Sequence, residues 1–384
     1  MITGKRALIL GSGTYGRLIG AELLKSPVFQ SMYVAARTLE KASRLAANLN
    51  AISVKPVSAV KLDATDFASV CSEARKVDII VNVTHPMAAT VVPAARAAME
   101  CGLPYIDINI DIPSTREVMA LDGDAKSAGV TMIPGCGYDP GLINMLAFHA
   151  SRGMDTVEEV HFAGAEQFAV ALCPKEAIDA ILDIFGVPFI YRVGRYVDVA
   201  PGSGTEEVEM PGLDSKLEIM AAQHTPLVTI PRAFGGVRLV TYKMGMSPIA
   251  TGNDIWRRIL EWGLNSKEKV DVKGVKVAPC DFIAAFFASP SHARAIRPNL
   301  KFWSVRRVLV KGTIGGANLI RSYACHDPKV VATERTCALA AEMLVSGVIS
   351  QKGVVIPENI DAEPFLRQAL GWGMVIQETE ELVR

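Results

Sequence analysis

The sequence predicts an α/β protein: a doubly wound parallel sheet at the N-terminus, then an α+β domain with a mainly antiparallel sheet. Three observations carry this. Apolar strand-like runs alternate with helical patterns through the first third of the 384 residues, as a parallel sheet covered by helices requires. The first run, residues 6–10, feeds Gly11-Ser12-Gly13-Thr14-Tyr15-Gly16 and then a helical pattern over 17–25. Beyond about residue 155 the strand-like segments are joined by longer irregular stretches, which suits antiparallel pairing.

Each element follows in order. A second strand is expected over 31–36 and a helix over 39–49. A short strand near 54–62 leads through Asp63-Ala64-Thr65-Asp66 to a helix ending at Arg75. The apolar run 77–83 reads as a buried strand, followed by a helix over 88–101 and a strand over 105–108. A helix over 114–128 leads to a strand at 130–133. Pro134-Gly135-Cys136-Gly137-Tyr138-Asp139-Pro140-Gly141 then opens a helix over 142–152. In the second domain, strands are expected at 159–164, 227–229, 237–243, 267–277, 304–312 and 319–325. The pattern turns helical again over 333–350. The division expected is 1–135 for the first domain, with 333–384 returning to it, and 136–332 for the second.

The glycines make the first loop a dinucleotide site, and the first domain a Rossmann domain. Gly11 suits the tight turn, Gly13 lets backbone approach a pyrophosphate, and Gly16 lets helix and strand pack closely. The pyrophosphate would rest on free N–H groups at the helix N-terminus. Ligands of such sheets bind beyond the carboxyl ends of the strands. The expected cofactor residues are therefore Gly11, Ser12, Gly13, Thr14, Tyr15, Gly16, Arg37, Thr38, Asp63, Ala64, Asn82, Val83, Thr84 and Asp107. An NAD site places an acid at the end of the second strand, whereas this chain reads Ala36-Arg37-Thr38. Arg37 offers a planar fork for a 2′-phosphate, so NADP is the first choice and NAD the second. The bland alternative is that Arg37 is a solvated charge at a helix start.

Bulk properties exclude other classes. Forty basic and forty acidic residues cancel, leaving no electrostatic case for nucleic acid or an anionic membrane. The seven cysteines are odd in number, and there is no C-x-x-C or H-E-x-x-H, so neither a disulfide framework nor a metal is expected. No uncharged apolar run reaches membrane-spanning length, and the first residues do not read as a signal peptide. A cytoplasmic protein acting on a small molecule is the expectation.

The chemistry is sought at two loops. In the loop 134–141, Asp139 fits an N-cap and Pro140 the first helical position; capping alone and capping with catalytic work are both open. That helix N-terminus is a candidate for a substrate carboxylate. Cys136 is either a catalytic residue that polarises or contacts substrate, or a small buried hydrophobe. His85 follows the strand ending at Val83, where a nicotinamide ring would lie. An imidazole there suits the proton transfer that accompanies hydride loss at a C–N bond, and a plain loop residue is the alternative.

With these residues laid out, the chain resembles the saccharopine dehydrogenase family, near its lysine 6-dehydrogenase and saccharopine reductase branches. The likeness rests on the Gly11–Gly16 loop, on residues 77–83 and 105–109, on 129–134 running into Asp139-Pro140-Gly141-Leu142, and on 347–349 through Gly353-Val354 to Pro357-Glu358. The resemblance implies hydride transfer between nicotinamide and an amine of an amino acid, and a second domain that binds substrate and forms a homodimer. It implies that Cys136 and Asp139, with Gly137, Tyr138, Pro140 and Gly141, line the substrate pocket. His85 falls where saccharopine reductases have an active-site tyrosine, and Arg37-Thr38 looks like their NADP-binding pair. His224-Thr225 resembles a His-Thr pair of lysine 6-dehydrogenases, although Pro226-Leu227-Val228 replaces the glycine-rich stretch that follows it there. Carboxynorspermidine and homospermidine synthases share the Gly-Tyr/Phe-Asp-Pro-Gly loop and stand as alternatives, as does a nucleotide-binding sensor without turnover.

Overall fold

The computed structural model describes residues 4–167, 175–246, 252–289 and 302–383. These residues form two compact units, one of 1–145 with 331–366 and one of 146–330 with 367–384.

The first unit alternates strand and helix. Its elements are β1 (Lys5–Leu10), α1 (Thr14–Lys25), β2 (Phe29–Ala36), α2 (Leu39–Asn50), β3 (Val57–Lys61), α3 (Phe67–Ala74), β4 (Ile79–Asn82) and α4 (Met87–Glu100). There follow β5 (Tyr105–Asp107), α5 (Ile112–Ala120), α6 (Asp122–Ser127), β6 (Thr131–Ile133) and α7 (Leu142–Ala150), which runs past the unit boundary. Residues 7–10 and 79–81 are fully buried, as strands covered on both faces must be. α1 buries Gly16, Ile19, Gly20, Leu23 and Leu24, the spacing of one helix face. The expected helix over 114–128 is two helices that meet at Leu121, and beside the join the Asp122 carboxylate accepts the Val354 N–H (2.9 Å).

The second unit contains β7 (Thr156–Gln167), α8 (Lys175–Gly186), β8 (Phe189–Arg192), β9 (Arg195–Asp198), β10 (Glu206–Val208), β11 (Leu217–Ala221), α9 (Pro226–Ala233) and β12 (Leu239–Met246). It continues with α10 (Gly252–Glu261), β13 (Val270–Val272), β14 (Val275–Val277), α11 (Pro279–Phe287), β15 (Trp303–Ile314) and β16 (Ala317–Asp327). The tail adds α12 (Ala332–Val345), β17 (Gly353–Val354), α13 (Glu363–Trp372) and β18 (Val375–Val383).

The first sheet has the order β17-β6-β5-β4-β1-β2-β3 and is parallel throughout. Strand order reverses between β1 and β4, which is where such sheets open a ligand crevice. The second sheet has the order β10-β11-β12-β7-β15-β16-β18, and β8 also pairs with β12. Only β7 and β12 run parallel; the other pairs are antiparallel.

Three expectations change. Residues 227–229 are helix, not strand: α9 begins at Pro226 and buries five residues in a row, and a short helix buried all round has the apolar pattern of a buried strand. Residues 267–277 are a hairpin that turns at Lys273 and Gly274, both with positive φ. The tail is also divided. β18 pairs along β16 in the second unit, with Ser322 Oγ 2.7 Å from Thr379 Oγ1 and Arg321 2.6 Å from Glu380. Residues 367–384 therefore belong to the second unit.

Candidate active site

The glycine loop sits at the switch point. Gly11 has φ +119°, and a Cβ there would stand 2.7 Å from the Val83 carbonyl oxygen, so the loops after β1 and β4 meet at a distance only glycine permits. A Cβ on Gly16 would lie 2.1 Å from the Gly11 oxygen. Gly13 differs: nothing lies within 4 Å of the position a side chain would take. Gly13 is also the N-cap of α1, which no side chain caps. Open space before the free N–H groups of a helix is what a pyrophosphate needs, so the residues present fit the cofactor.

The flanking polar groups are ordered from within. Asn82 is buried and donates to Tyr105 Oη (3.1 Å), while its Oδ1 accepts from the Thr84 N–H (3.1 Å) and hydroxyl (2.6 Å). Thr84 is half-buried and His85 exposed in the loop that leads to α4. Asp63 accepts from the Thr65 N–H (3.0 Å) and hydroxyl (2.8 Å). Those bonds, with Arg37 nearby, hold its carboxyl below the ordinary range. Arg37 and Thr38 are exposed at the start of α2, and the Thr38 hydroxyl makes no capping bond.

Asp107 is wholly buried. Its Oδ1 accepts the Asn109 N–H (2.9 Å) and the Gly135 N–H (2.7 Å), and its carbonyl accepts the Cys136 N–H (2.7 Å). Burial pushes its carboxyl up to about 6, although Gly135, Asn109 and the Tyr105 hydroxyl pull the other way. Asp107 was expected at the cofactor; here it anchors the loop 134–141 to the end of β5.

That loop corrects two expectations. Asp139 does not directly precede α7, and Pro140 is not its first residue: the helix begins at Leu142. The loop closes on itself instead. Gly137 N–H donates to Pro140 O (2.7 Å), Leu142 N–H to Gly137 O (2.9 Å) and Ile143 N–H to Tyr138 O (3.1 Å). Gly141 has φ +132°, and a Cβ would fall 2.0 Å from the Gly137 oxygen. Its N–H donates to Asn144 Oδ1 (3.0 Å), and Asn144 Nδ2 donates to Glu358 Oε1 (2.7 Å). The first donors of α7 are thus consumed within the loop, and the expected carboxylate site at this helix end is closed. Gly137, Tyr138, Pro140 and Gly141 are buried, and Asp139 is half-buried. Cys136 is fully buried, and burial pushes its thiol far up. A buried neutral thiol packed among Asp107 and Cys337 is a poor reactant, so the catalytic part expected of Cys136 has no support in this geometry.

Sequence reasoning missed Asn144 and Glu358, although Pro357-Glu358 was one of the matching segments. It also missed Arg17, Lys41 and Arg44, which line a cavity of about 250 Å³ with Ser12, Gly13 and Thr14. A larger cavity of about 340 Å³ lies at the amino ends of the strands beside Lys5 and Asp78. No glycine loop or uncapped α1 end borders it, so the site is placed at the carboxyl edge. His224 and Thr225 lie in the second unit, buried ahead of α9, with the His224 ring stacked 4.9 Å from Tyr242. Among the described residues no group of acidic, histidine and cysteine side chains could hold a metal, and no helix is long and apolar enough to cross a membrane.

The first unit is thus built as a Rossmann dinucleotide-binding domain. Residues 7–133, about a third of the chain, match the saccharopine dehydrogenase NADP binding domain. It is 22% identical over 401 residues to the carboxyaminopropylagmatine dehydrogenase of Synechocystis, covering 97% of this chain and 98% of that one. It is 21% identical over 410 residues to the carboxynorspermidine synthase of Vibrio cholerae, covering 96% of each. A saccharopine dehydrogenase (NADP⁺, L-glutamate-forming) of Pyricularia oryzae is 31% identical over 163 residues, 42% of this chain and 32% of that one. Among solved structures, an apo saccharopine dehydrogenase (L-Glu forming) from Saccharomyces cerevisiae superposes with a TM-score of 0.69 at 13% identity, over 98% of this chain and all of that one. That likeness shows a shared fold.

Proposed function

We propose that the protein moves hydride between NADP(H) and the carbon of a C–N bond in an amino acid or its imine. In the oxidative direction the nitrogen gives up a proton, the adjacent carbon gives up hydride, and a C=N bond forms. Bound NADP supplies the hydride acceptor. The observation that carries this reading is the open, uncapped N-terminus of α1 behind Gly13. Arg37 selects the phosphorylated cofactor, and the second unit binds substrate and pairs two copies in the cytoplasm. His85 is the candidate for proton transfer.

A second reading is favoured by one finding. Relatives that match end to end are named for carboxylated amines of the agmatine and norspermidine type, whereas the saccharopine dehydrogenase sequence matches over less than half the chain. A substrate that joins an amino acid to a polyamine-like chain would satisfy both readings. A screen of secondary amines, and of amine–aldehyde pairs, against NADP(H) at 340 nm separates them. No absorbance change with any of them would leave a cofactor-binding sensor.

The cofactor assignment has its own test. Arg37→Asp should weaken NADP about 100-fold and leave NAD little changed. Unaltered NADP affinity would remove Arg37 from the site.

A further inference from the structure

Arg37 is not the only cation beside the glycine loop. Lys41 and Arg44 project from α2, and Arg17 from α1, into the cavity that Ser12, Thr14 and Asn48 also line. Among the described residues none of the three has a carboxylate partner. Some other lysines of this unit do: Lys25 pairs with Glu22 (2.7 Å), Lys76 with Glu73 (2.7 Å) and Lys126 with Asp122 (2.9 Å). The contrast is sharpest at Arg44. Glu40 stands four residues before it, the spacing at which an acid and a base stabilise a helix, yet Arg44 borders the cavity instead. Thr38, Lys41 and Arg44 recur every three residues and so lie along one side of the helix. Three unneutralised cations around one small cavity repel one another, and an anion relieves that cost.

We infer that Lys41 and Arg44, assisted by Arg17, form a second arm that grips the 2′-phosphate of the cofactor opposite Arg37 and Thr38. The inference rests on the cofactor reading above and adds the residues that set its selectivity. A phosphomonoester carries close to two negative charges and three acceptor oxygens. One guanidinium in solvent leaves most of these to water, whereas cations on two sides hold the group without moving it. The pyrophosphate stays with the N–H groups of α1, so the arm acts on the difference between NADP and NAD and not on their common part.

Lys41→Ala/Arg44→Ala decides this, with NADP, NAD, 2′,5′-ADP and AMP titrated calorimetrically against the full chain. The double variant should lose about 30-fold in affinity for NADP and for 2′,5′-ADP, with NAD and AMP unchanged. Its NADP affinity should also fall less steeply with added salt. Far-ultraviolet circular dichroism checks that the exposed substitutions leave the fold intact. Equal losses for NADP and NAD would assign the cations to the pyrophosphate and overturn the inference, as would no loss at all. If the unaltered protein binds neither dinucleotide, the cofactor reading itself falls, and the arm with it.

Discussion

On the second sheet Arg306 lies buried against Glu166, Lys311 stands 2.8 Å from Glu159, and Arg321 stands 2.6 Å from Glu380. Beside α1 in the first unit, Arg17, Lys41 and Arg44 face no carboxylate. Two helix ends of the first unit repeat the contrast. The donors of α7 are spent on the carbonyls of Gly137, Tyr138 and Gly141, while α1 begins at Gly13 with no capping side chain and open space before it. Where charges and donors are matched internally, they hold backbone in place. Where they are left unmatched at a strand's carboxyl edge, they mark what the protein binds. Helix termini and cations without an internal partner are common; their convergence on one cavity beside the glycine loop is what singles these out.

The largest expected effect probes the matched side. Arg306 is 6% exposed and also donates to the carbonyls of Ala165 (3.3 Å) and Val305 (2.9 Å). Glu166→Ala would take a carboxylate away from that buried guanidinium, at a cost of about 3–5 kcal/mol. Glu166→Gln, which keeps an acceptor, should cost less. Thermal melts of both variants measure this. A loss below about 1 kcal/mol would mean that the carbonyls alone satisfy Arg306, and the ion pair would cease to distinguish this unit.

Asp107 carries the next effect, because it is the one matched group of the site loop whose charge is expensive. In the folded chain it keeps its proton to about pH 6, whereas the ordinary value is 3.8. Between these values the folded state binds more protons than the unfolded state. Asp107 therefore lowers stability as pH rises from about 4 to 6 and adds no further change above that. Asp107→Asn keeps an oxygen for the Gly135 and Asn109 N–H groups and removes the charge. It should be more stable than the unaltered protein at pH 7 by up to about 3 kcal/mol, with the gain vanishing near pH 4. Denaturant titrations across that range test it. A variant that is weaker at every pH would show that the two bonds need the full carboxylate.

The parts legible in the sequence were those whose physics is local. Gly11, Gly13 and Gly16 lie within one turn, and the three roles predicted for them meet three different surroundings in the structure. The parts that were not legible depend on distant residues. Asp139-Pro140 reads as a helix start because the neighbours fit a cap, yet the outcome was decided by Asn144 and by Glu358, 214 residues further on. Residues 367–384 read as returning to the first domain because nothing near them reveals the Arg321 and Ser322 partners. The β8–β9 hairpin was missed because its turn sets Val193 at φ 45°, where asparagine or glycine is the usual signal. Lys41 and Arg44 were within reach: their three-residue spacing from Thr38 was visible without coordinates.

His85 offers the smallest effect and the finest test of the contrast. It is exposed in the loop that begins where Val83 meets Gly11, and unlike Asn82 and Asp107 it holds no neighbouring backbone group among the described residues. A group of the unmatched kind should be removable without harm to the fold. His85→Ala should therefore leave the melting temperature and NADP affinity unchanged. Turnover should fall about tenfold, equal to about 1.4 kcal/mol of barrier. A fall in melting temperature would move His85 to the structural side. Unchanged turnover would leave proton transfer to solvent or to another residue, and exposure with no partner would no longer suffice to mark a working group in this protein.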